Sequence, residues 1–333
     1  MFDPFFSCLT FVITPRDAST RGLVTGPAVR GAFGYRLRAL SCVTGTTECA
    51  GCGLAAWCPY GRVFETPNLG TAARLRGTDK APHPFILKMP RAVDGHLLIH
   101  MTIVGDGLRD LPMIVHALRT LGDGFLARTG GDKSVNVRFS IDQVLLRTSA
   151  WTDEPLYAGA PWPADRPPSI RLSDLAAALA GRSMNRARLL FLSPTLIVSG
   201  GEPIRRGLTF DAFLERLLHR LDVLSSCFCG SSLDDDERER VRVLGGQVSV
   251  VHDDLRWEKA SRTSTRSATR DSQLPLDGLV GSWELSGPMT ELMPYLLAGQ
   301  AASVGKNTSS GCGDYVVERA WTEEEGISGG GLK

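Results

Sequence analysis

The feature that most constrains this chain is the order in which its hydrophobic spacing changes. Residues 5–13 are an apolar run rich in aromatic and β-branched side chains, the composition of a strand. Over residues 26–40 the spacing changes. Val29, Phe33, Leu37 and Leu40 recur at intervals of four, four and three, which lines them along one helix face. Residues 83–87 and 95–104 read as two strands, with Leu97, Ile99, Met101 and Ile103 alternating on the second. Residues 111–121 return to helical spacing and 135–146 to a strand. Beyond a stretch with five prolines between 155 and 168 the same order recurs. A strand is expected at 187–198, and then a helix at 210–224 with Phe213, Leu217, Leu221 and Leu224 on one face. Strands at 241–251 and 278–285, a short helix at 291–297 and a last strand at 314–318 complete it.

Strand, helix, strand, strand, helix, strand is the split βαβ order of the ferredoxin-like fold. The expectation is therefore an α+β chain of two tandem ferredoxin-like (RRM-like, βαββαβ) domains. The first spans 1–154 and carries a cysteine-rich insertion at 42–82. Residues 155–185 are expected as a linker, 186–320 as the second domain, and 321–333, acidic and then glycine-rich, as a flexible tail.

At 333 residues the chain has room for two cores. Its 37 Lys and Arg against 36 Asp and Glu leave a net charge of +1, so binding of a polyanion has to come from local patches. The apolar start lacks the basic segment and cleavage site of a signal peptide, and no apolar run reaches the ~18 residues of a membrane span. The eight cysteines are not spaced as a disulfide framework, which points to a reducing, cytoplasmic setting with no membrane partner.

Four segments carry chemistry. In the glycine-rich stretch 304–313, Gly305, Lys306, Ser309, Gly311 and Gly313 combine backbone freedom, a cation and hydroxyl donors. Such a loop either cradles a phosphate in a nest of N–H groups or is an ordinary Gly/Ser connection. It is not a Walker loop, because Lys306 precedes the second pair of glycines. Residues 256–270 hold Arg256, Lys259, Arg262, Arg266 and Arg270 against one acid, Glu258. They read as a hairpin extension or loop that either tracks phosphates or is simply solvated. In the first helix, Gly31, Tyr35 and Arg38 fall on the outward face, with Gly34 at its edge and Arg30 and Arg36 flanking the core stripe. Two glycines in a helix each cost about 1 kcal/mol against alanine, which makes sense if RNA or the insertion packs there closely. Finally, Cys42, Cys49, Cys52 and Cys58 are four thiols within 17 residues, suited to a structural zinc, less well to an iron–sulfur cluster, or left as free thiols.

The histidines form no recognisable pair. His96 and His100 share one face of a strand, but at ~3.3 Å per residue their Cα atoms are about 13 Å apart, too far for one metal ion or a dyad. His116 and His219 fall on expected helices, and His83 and His252 near strand ends. Asp234, Asp236 and Glu237 read as a solvated turn.

Taken in order, these segments resemble the CRISPR precursor-RNA processing endoribonucleases of the RAMP superfamily. The resemblance rests on residues 189–195, 210–224, Arg262 with Arg266, residues 276–283 and the glycine-rich loop. In the first half it rests on residues 29–38, Cys58-Pro59-Tyr60, Phe64-Glu65 and His83-Pro84-Phe85. It implies an antiviral-defence enzyme that matures guide RNA by a metal-independent cut in CRISPR repeat RNA. There the 2′-hydroxyl attacks the adjacent phosphate to leave a 2′,3′-cyclic phosphate. Members often carry a histidine in or near the first helix, and here the matching outward position holds Tyr35. The expected catalytic set is Tyr35, Arg36 and His116, with His100 as a further histidine able to enter the site. The expected RNA contacts are Arg30, Arg38, Lys259, Arg262, Arg266, Gly305, Lys306, Ser309, Gly311 and Gly313. The alternative implied by the same likeness is a non-catalytic RNA-binding subunit working with other CRISPR effector subunits. A third reading is a ferredoxin-fold scaffold that binds no such RNA.

Overall fold

The computed structural model describes residues 2–46, 48–49, 51–68, 75, 80–128, 134–148, 152–157, 169–263 and 273–322. The chain divides into two compact units. One comprises residues 5–170 with 226–230, and the other residues 1–4, 171–225 and 231–333.

In the first unit, β1 (Phe5–Pro15) is followed by α1 (Gly26–Ser41). Thr25 caps α1, its hydroxyl accepting from Ala28 N, and Pro27 sits in the first turn, where a missing N–H costs nothing. Then come β2 (Phe85–Leu87), β3 (Arg91–Val93), β4 (His96–Val104), α2 (Leu111–Gly122), β5 (Phe125–Arg128), β6 (Ser134–Val137), β7 (Phe139–Arg147) and β8 (Asp153–Tyr157). The sheet runs β2-β4-β1-β7-β8, all antiparallel, which is the ferredoxin order extended by one strand. Val29, Phe33 and Leu37 of α1 and Ile114, Leu118 and Leu121 of α2 pack on Leu9, Phe11, Ile13, Leu97, Ile99 and Met101 of the central strands. The other strand face carries Thr10, Thr14, His96 and His100, with Thr10 Oγ1 2.8 Å from His100 Nδ1 and Thr14 Oγ1 2.9 Å from His96 Nδ1.

The second unit begins with β9 (Ile170–Arg171, whose Ile170 still belongs to the first), α3 (Leu172–Ala178), β10 (Arg186–Thr195) and the small ribbon of β11 (Val198–Ser199) and β12 (Glu202–Pro203). It continues through α4 (Phe210–Phe228), α5 (Asp235–Gly245), β13 (Ser249–Asp253), β14 (Arg256–Glu258), β15 (Ser261–Thr263), β16 (Gln273–Pro275), β17 (Gly278–Ser286), α6 (Met289–Ala302) and β18 (Tyr315–Trp321). Its sheet order, β13-β17-β10-β18, is again ferredoxin-like and antiparallel. The core is aromatic. Phe213 of α4 meets Phe191, Trp283 and Tyr315 edge-on, with ring centroids 5.4–5.9 Å apart.

Several expected boundaries shift. Residues 241–251 are not one strand but the end of α5, a turn and β13. Asp234 to Glu237 are not a loose turn but the start of that helix, with Asp234 accepting from Glu237 N. Only Val241 and Gly245 of α5 are buried, so its apolar signal was too thin to compete with a run of valines. Pairs at i,i+3, Glu237 with Arg240 and Glu239 with Arg242, support it instead. Residues 135–146 split at Arg138, β6 turning back on β5 while β7 joins the sheet. Residues 155–185, expected as a linker, are partly built into the units. β8 pairs with β7, and Leu172 N of α3 donates to Pro4 O. Residues 158–168 and nearly all of the expected tail, 323–333, lie outside the described residues.

Truncating Trp283, fully buried against the rings of Phe191, Phe210 and Phe213, is expected to cost about 3–5 kcal/mol of unfolding free energy by the general size of such cavities. Urea denaturation of Trp283→Ala measures it.

Candidate functional site

The first helix organises the densest group of aromatic and charged side chains in the first unit. The cysteine segment reaches it through successive turns, Cys52 N to Cys49 O, Ala55 N to Cys52 O, Cys58 N to Leu54 O and Arg62 N to Cys58 O. A wide helical turn, Gly61–Glu65, then ends at Thr66, whose φ of 43° is left-handed. This places Phe64 flat against α1 at Gly34, where a Cβ would overlap the ring. Gly31, by contrast, has open space around it. Of the two helix glycines, one is therefore explained by packing against the insertion.

On Phe64 a stack is built. Tyr60 lies on one side at 5.4 Å, and His83 at 5.5 Å and Phe85 at 5.9 Å pack against the same ring. Arg30 lies over the Phe64 ring at 4.8 Å and donates to His83 Nε2 at 3.0 Å. Arg38, two turns along α1, stands over Tyr60 and donates to Thr46 O. Tyr60 donates to Glu65 Oε1, and Lys80 pairs with Glu65 Oε2 at 2.6 Å. Tyr60, Phe64 and Phe85 are buried in the core, so the rings serve packing, while Arg30, Arg38 and His83 at the edge of the stack are half-buried.

Of the expected catalytic residues, Tyr35 projects from α1 with 73% of its surface exposed. Arg36 points the other way and donates to Gly124 O at 2.7 Å, a structural contact that fixes the loop after α2. His116 is exposed on α2, and His100 lies on the sheet, hydrogen-bonded to Thr10. The sequence resemblance included Tyr60, Glu65 and His83 beside residues 29–38 without giving them a role, and it left out Lys80. His83 lies 53 positions from Arg30, so no spacing rule links the two.

The four cysteines do not form the expected ligand set. Among the described residues no three His, Cys, Asp or Glu side chains are gathered as metal ligands. Cys58 Sγ is 3.8 Å from Ser41 O, and Cys42 Sγ is 3.6 Å from the Thr44 hydroxyl, which holds the Cys42 thiol below its usual pKa.

In the second unit the glycine-rich loop follows α6. Ser303 and Asn307 take left-handed φ values, as do Gly305, Gly311 and Gly313. Its amides are largely committed within the fold. Val304 N donates to Gly313 O, Lys306 N to Leu196 O, Ser310 N and Cys312 N to Asn307 O, Gly311 N to Thr308 O, and Gly313 N to Pro194 O. A Cβ at Gly305 would overlap Leu196 O and one at Gly313 would overlap Val304 O, so these glycines serve the approach of the chain to the end of β10. An N–H bonded to a carbonyl is not offered to a phosphate, so these six amides take no part in a phosphate nest. Arg220 of α4 reinforces the loop by donating to Thr308 Oγ1 at 2.8 Å, and burial lowers its pKa to about 10, which leaves it charged at neutral pH. Lys306 remains exposed, and Ser309 is half-buried. Of the basic segment, Lys259 is exposed beyond β14, and Arg262 lies in the β15–β16 hairpin, paired through its backbone with Leu274. Arg266 lies outside the described residues.

Residues 189–315 match the family model described as CRISPR-associated endoribonuclease Cas6, which covers the second sheet, α4, α6 and the glycine-rich loop. This part of the chain is thus similar to a Cas6 endoribonuclease domain. Ahead of it, residues 5–166 match a model described as an N-terminal domain. No curated protein sequence matches the chain. Among solved structures, Cas6 from Thermus thermophilus is 16% identical with a TM-score of 0.54, over 94% of this chain and 98% of that one. A Cas6 product complex is 17% identical with a TM-score of 0.53, over 95% and 99%. A Cas6 substrate-mimic complex is 18% identical with a TM-score of 0.50, over 94% and 99%. At these identities the likeness shows the shared fold alone, two ferredoxin-like units in one chain.

Within residues 189–315, loop geometry and loop charge separate cleanly. Gly313→Ala is expected to lower the melting temperature, because φ is 76° and the added Cβ meets Val304 O. Lys306→Ala is expected to leave stability unchanged and reduce the salt dependence of RNA binding by about one phosphate contact. Thermal melts and RNA titrations across salt concentrations check both.

Proposed function

We propose that this chain is an endoribonuclease that cleaves CRISPR repeat RNA to mature guide RNA by attack of a 2′-hydroxyl on the neighbouring phosphate, without a divalent metal in the chemical step. The Cas6 match over 189–315, set on a tandem ferredoxin-like chain, carries this reading. The arginine–aromatic cluster on α1 adds what RNA cleavage needs. Arg30 and Arg38, held over the rings of Phe64 and Tyr60, supply donors for a phosphate. Tyr35 stands on the same helix in the open, able to orient a 2′-hydroxyl or donate a proton. Arg36 is assigned to the fold, and His116 is kept as a second candidate for proton transfer. Lys306, Lys259, Arg262 and Arg266 are assigned to holding the rest of the RNA. No helix among the described residues is long and apolar enough to cross a membrane.

One observation favours a second reading. The outward position of α1 holds a tyrosine, a poor base at neutral pH with a reference pKa of about 10, which suits an RNA-holding subunit of an effector complex. Incubating the protein with repeat RNA in EDTA separates the two. Cleavage leaving a 2′,3′-cyclic phosphate and a 5′-hydroxyl is the expected outcome. Tight binding without cleavage selects the RNA-holding role, and cleavage only on addition of a divalent ion removes the metal-free mechanism.

A further inference from the structure

The second unit holds a groove of about 860 Å³ that no step of RNA cleavage uses. It is lined by α3 and the turn after it, the start of α5, the first half of α6, and Phe2. Its apolar lining comes from Phe2, Leu172, Ala176, Leu179, Ala180 and Pro294, of which Ala176 and Ala180 are exposed. Its charged lining is Asp234, Asp236, Glu237 and Glu291 against one cation, Arg240. That cation is already committed. Arg240 donates to both carboxylate oxygens of Glu237 at 2.7 and 2.8 Å, and the Tyr295 hydroxyl donates to Glu237 Oε1. Asp234 caps α5 by accepting from Glu237 N at 2.8 Å. Asp234, Asp236 and Glu291 are all exposed, and among the described residues they enter no ion pair. The groove therefore sets three uncompensated carboxylates beside apolar side chains.

We propose that this groove is the docking site for a basic, amphipathic segment of a protein partner, whose apolar side chains fill the groove while its Lys or Arg side chains meet Asp234, Asp236 and Glu291. Charge complementarity selects the occupant. A phosphate backbone is repelled by three unpaired carboxylates, so RNA is not the ligand of this face. A polyamine matches the charge but has no bulky apolar groups for Phe2, Leu172 and Pro294 to cover. A peptide that alternates apolar anchors with cations satisfies both linings at once, and walls made of three helices suit the helix-in-groove mode of recognition. The volume lies within the usual ~300–1,000 Å³ of ligand sites, enough for a few anchoring side chains and too small for a whole domain. Exposed apolar surface next to like charges is unfavourable in the free chain, and one partner of this chemistry relieves both. The inference does not depend on the nuclease reading, since none of these residues is assigned to RNA.

The test uses the full chain and a fluorescent synthetic helix of leucine and lysine, with leucines along one face, read by anisotropy. A second helix with glutamate in place of lysine, and spermine as a competitor, are the comparison probes. Two variants alter exposed groove residues on different helices. Ala176→Arg fills the groove, and Asp236→Lys with Glu291→Lys reverses its charge. Glu202→Lys, exposed on the β11–β12 ribbon, is the control for charge alone. The leucine–lysine helix is expected to bind the parent, and at least tenfold more weakly to both groove variants. Glu202→Lys is expected to bind it as the parent does, and the leucine–glutamate helix to bind none of them. RNA binding is expected to be the same in parent and groove variants. Equal affinity of the leucine–lysine helix for parent and Ala176→Arg, or an equal loss in Glu202→Lys, overturns the proposal, because binding is then a matter of surface charge. Displacement of the helix by spermine at equal concentration overturns it in favour of a polyamine site. Self-association of the parent in sedimentation that Ala176→Arg abolishes overturns it in favour of a second copy of this chain.

Discussion

The absence of one carbon atom at Gly34 is the constraint on which the first unit's site depends. Helices rarely tolerate glycine, and at this position the tolerance has a reason: Phe64 occupies the space that a Cβ would fill. With Phe64 seated there, Tyr60 and His83 are positioned as its stacking partners and Arg30 closes over its ring. The cysteine-rich insertion is thereby held to the domain by aromatic packing. Val63 and Phe64 are buried in the same core as Phe33 and Phe85. The four thiols, which suggested a metal staple, lie along the path that delivers these rings and are not drawn into a common ligand set.

The glycine-rich loop of the second unit answers a similar problem with the opposite emphasis. There the chain must pass close to the carbonyls of Pro194 and Leu196 at the end of β10, and glycines remove the side chains that would obstruct it. Phosphate nests and tight backbone crossings both select glycine and small polar residues, so composition alone does not separate them. What separates them is where the N–H groups point, which is a property of the folded loop. The loop's exposed cation, Lys306, is a separate feature carried on this rigid base.

Buried polar groups fix the second unit as firmly as its aromatic core does. Asp222 of α4, wholly buried, accepts from Leu233 N at 2.9 Å and from Arg238 at 2.8 Å, so the turn from α4 into α5 is held by a charge whose removal would leave Arg238 without its buried partner. This anchor has no signature in hydrophobic spacing. It explains how α5, with Val241 and Gly245 as its buried residues, keeps a fixed place.

By itself the sequence determined the architecture. Two rounds of strand, helix, strand, strand, helix, strand were legible because period two and period 3.6 record which side chains face a core, and burial is a local, repeating requirement. It also marked α1, the glycine-rich loop and the basic hairpin as unusual, because glycine in a helix and clustered cations carry a local cost that shows in composition. Tertiary structure alone decided what those segments do. It turned the loop's amides inward to carbonyls of its own chain, kept the cysteines apart, assigned Arg36 to Gly124, and brought His83 to Arg30 across 53 positions. Partners that distant are chosen by how the segments of one unit pack in space, and linear spacing holds no record of that choice.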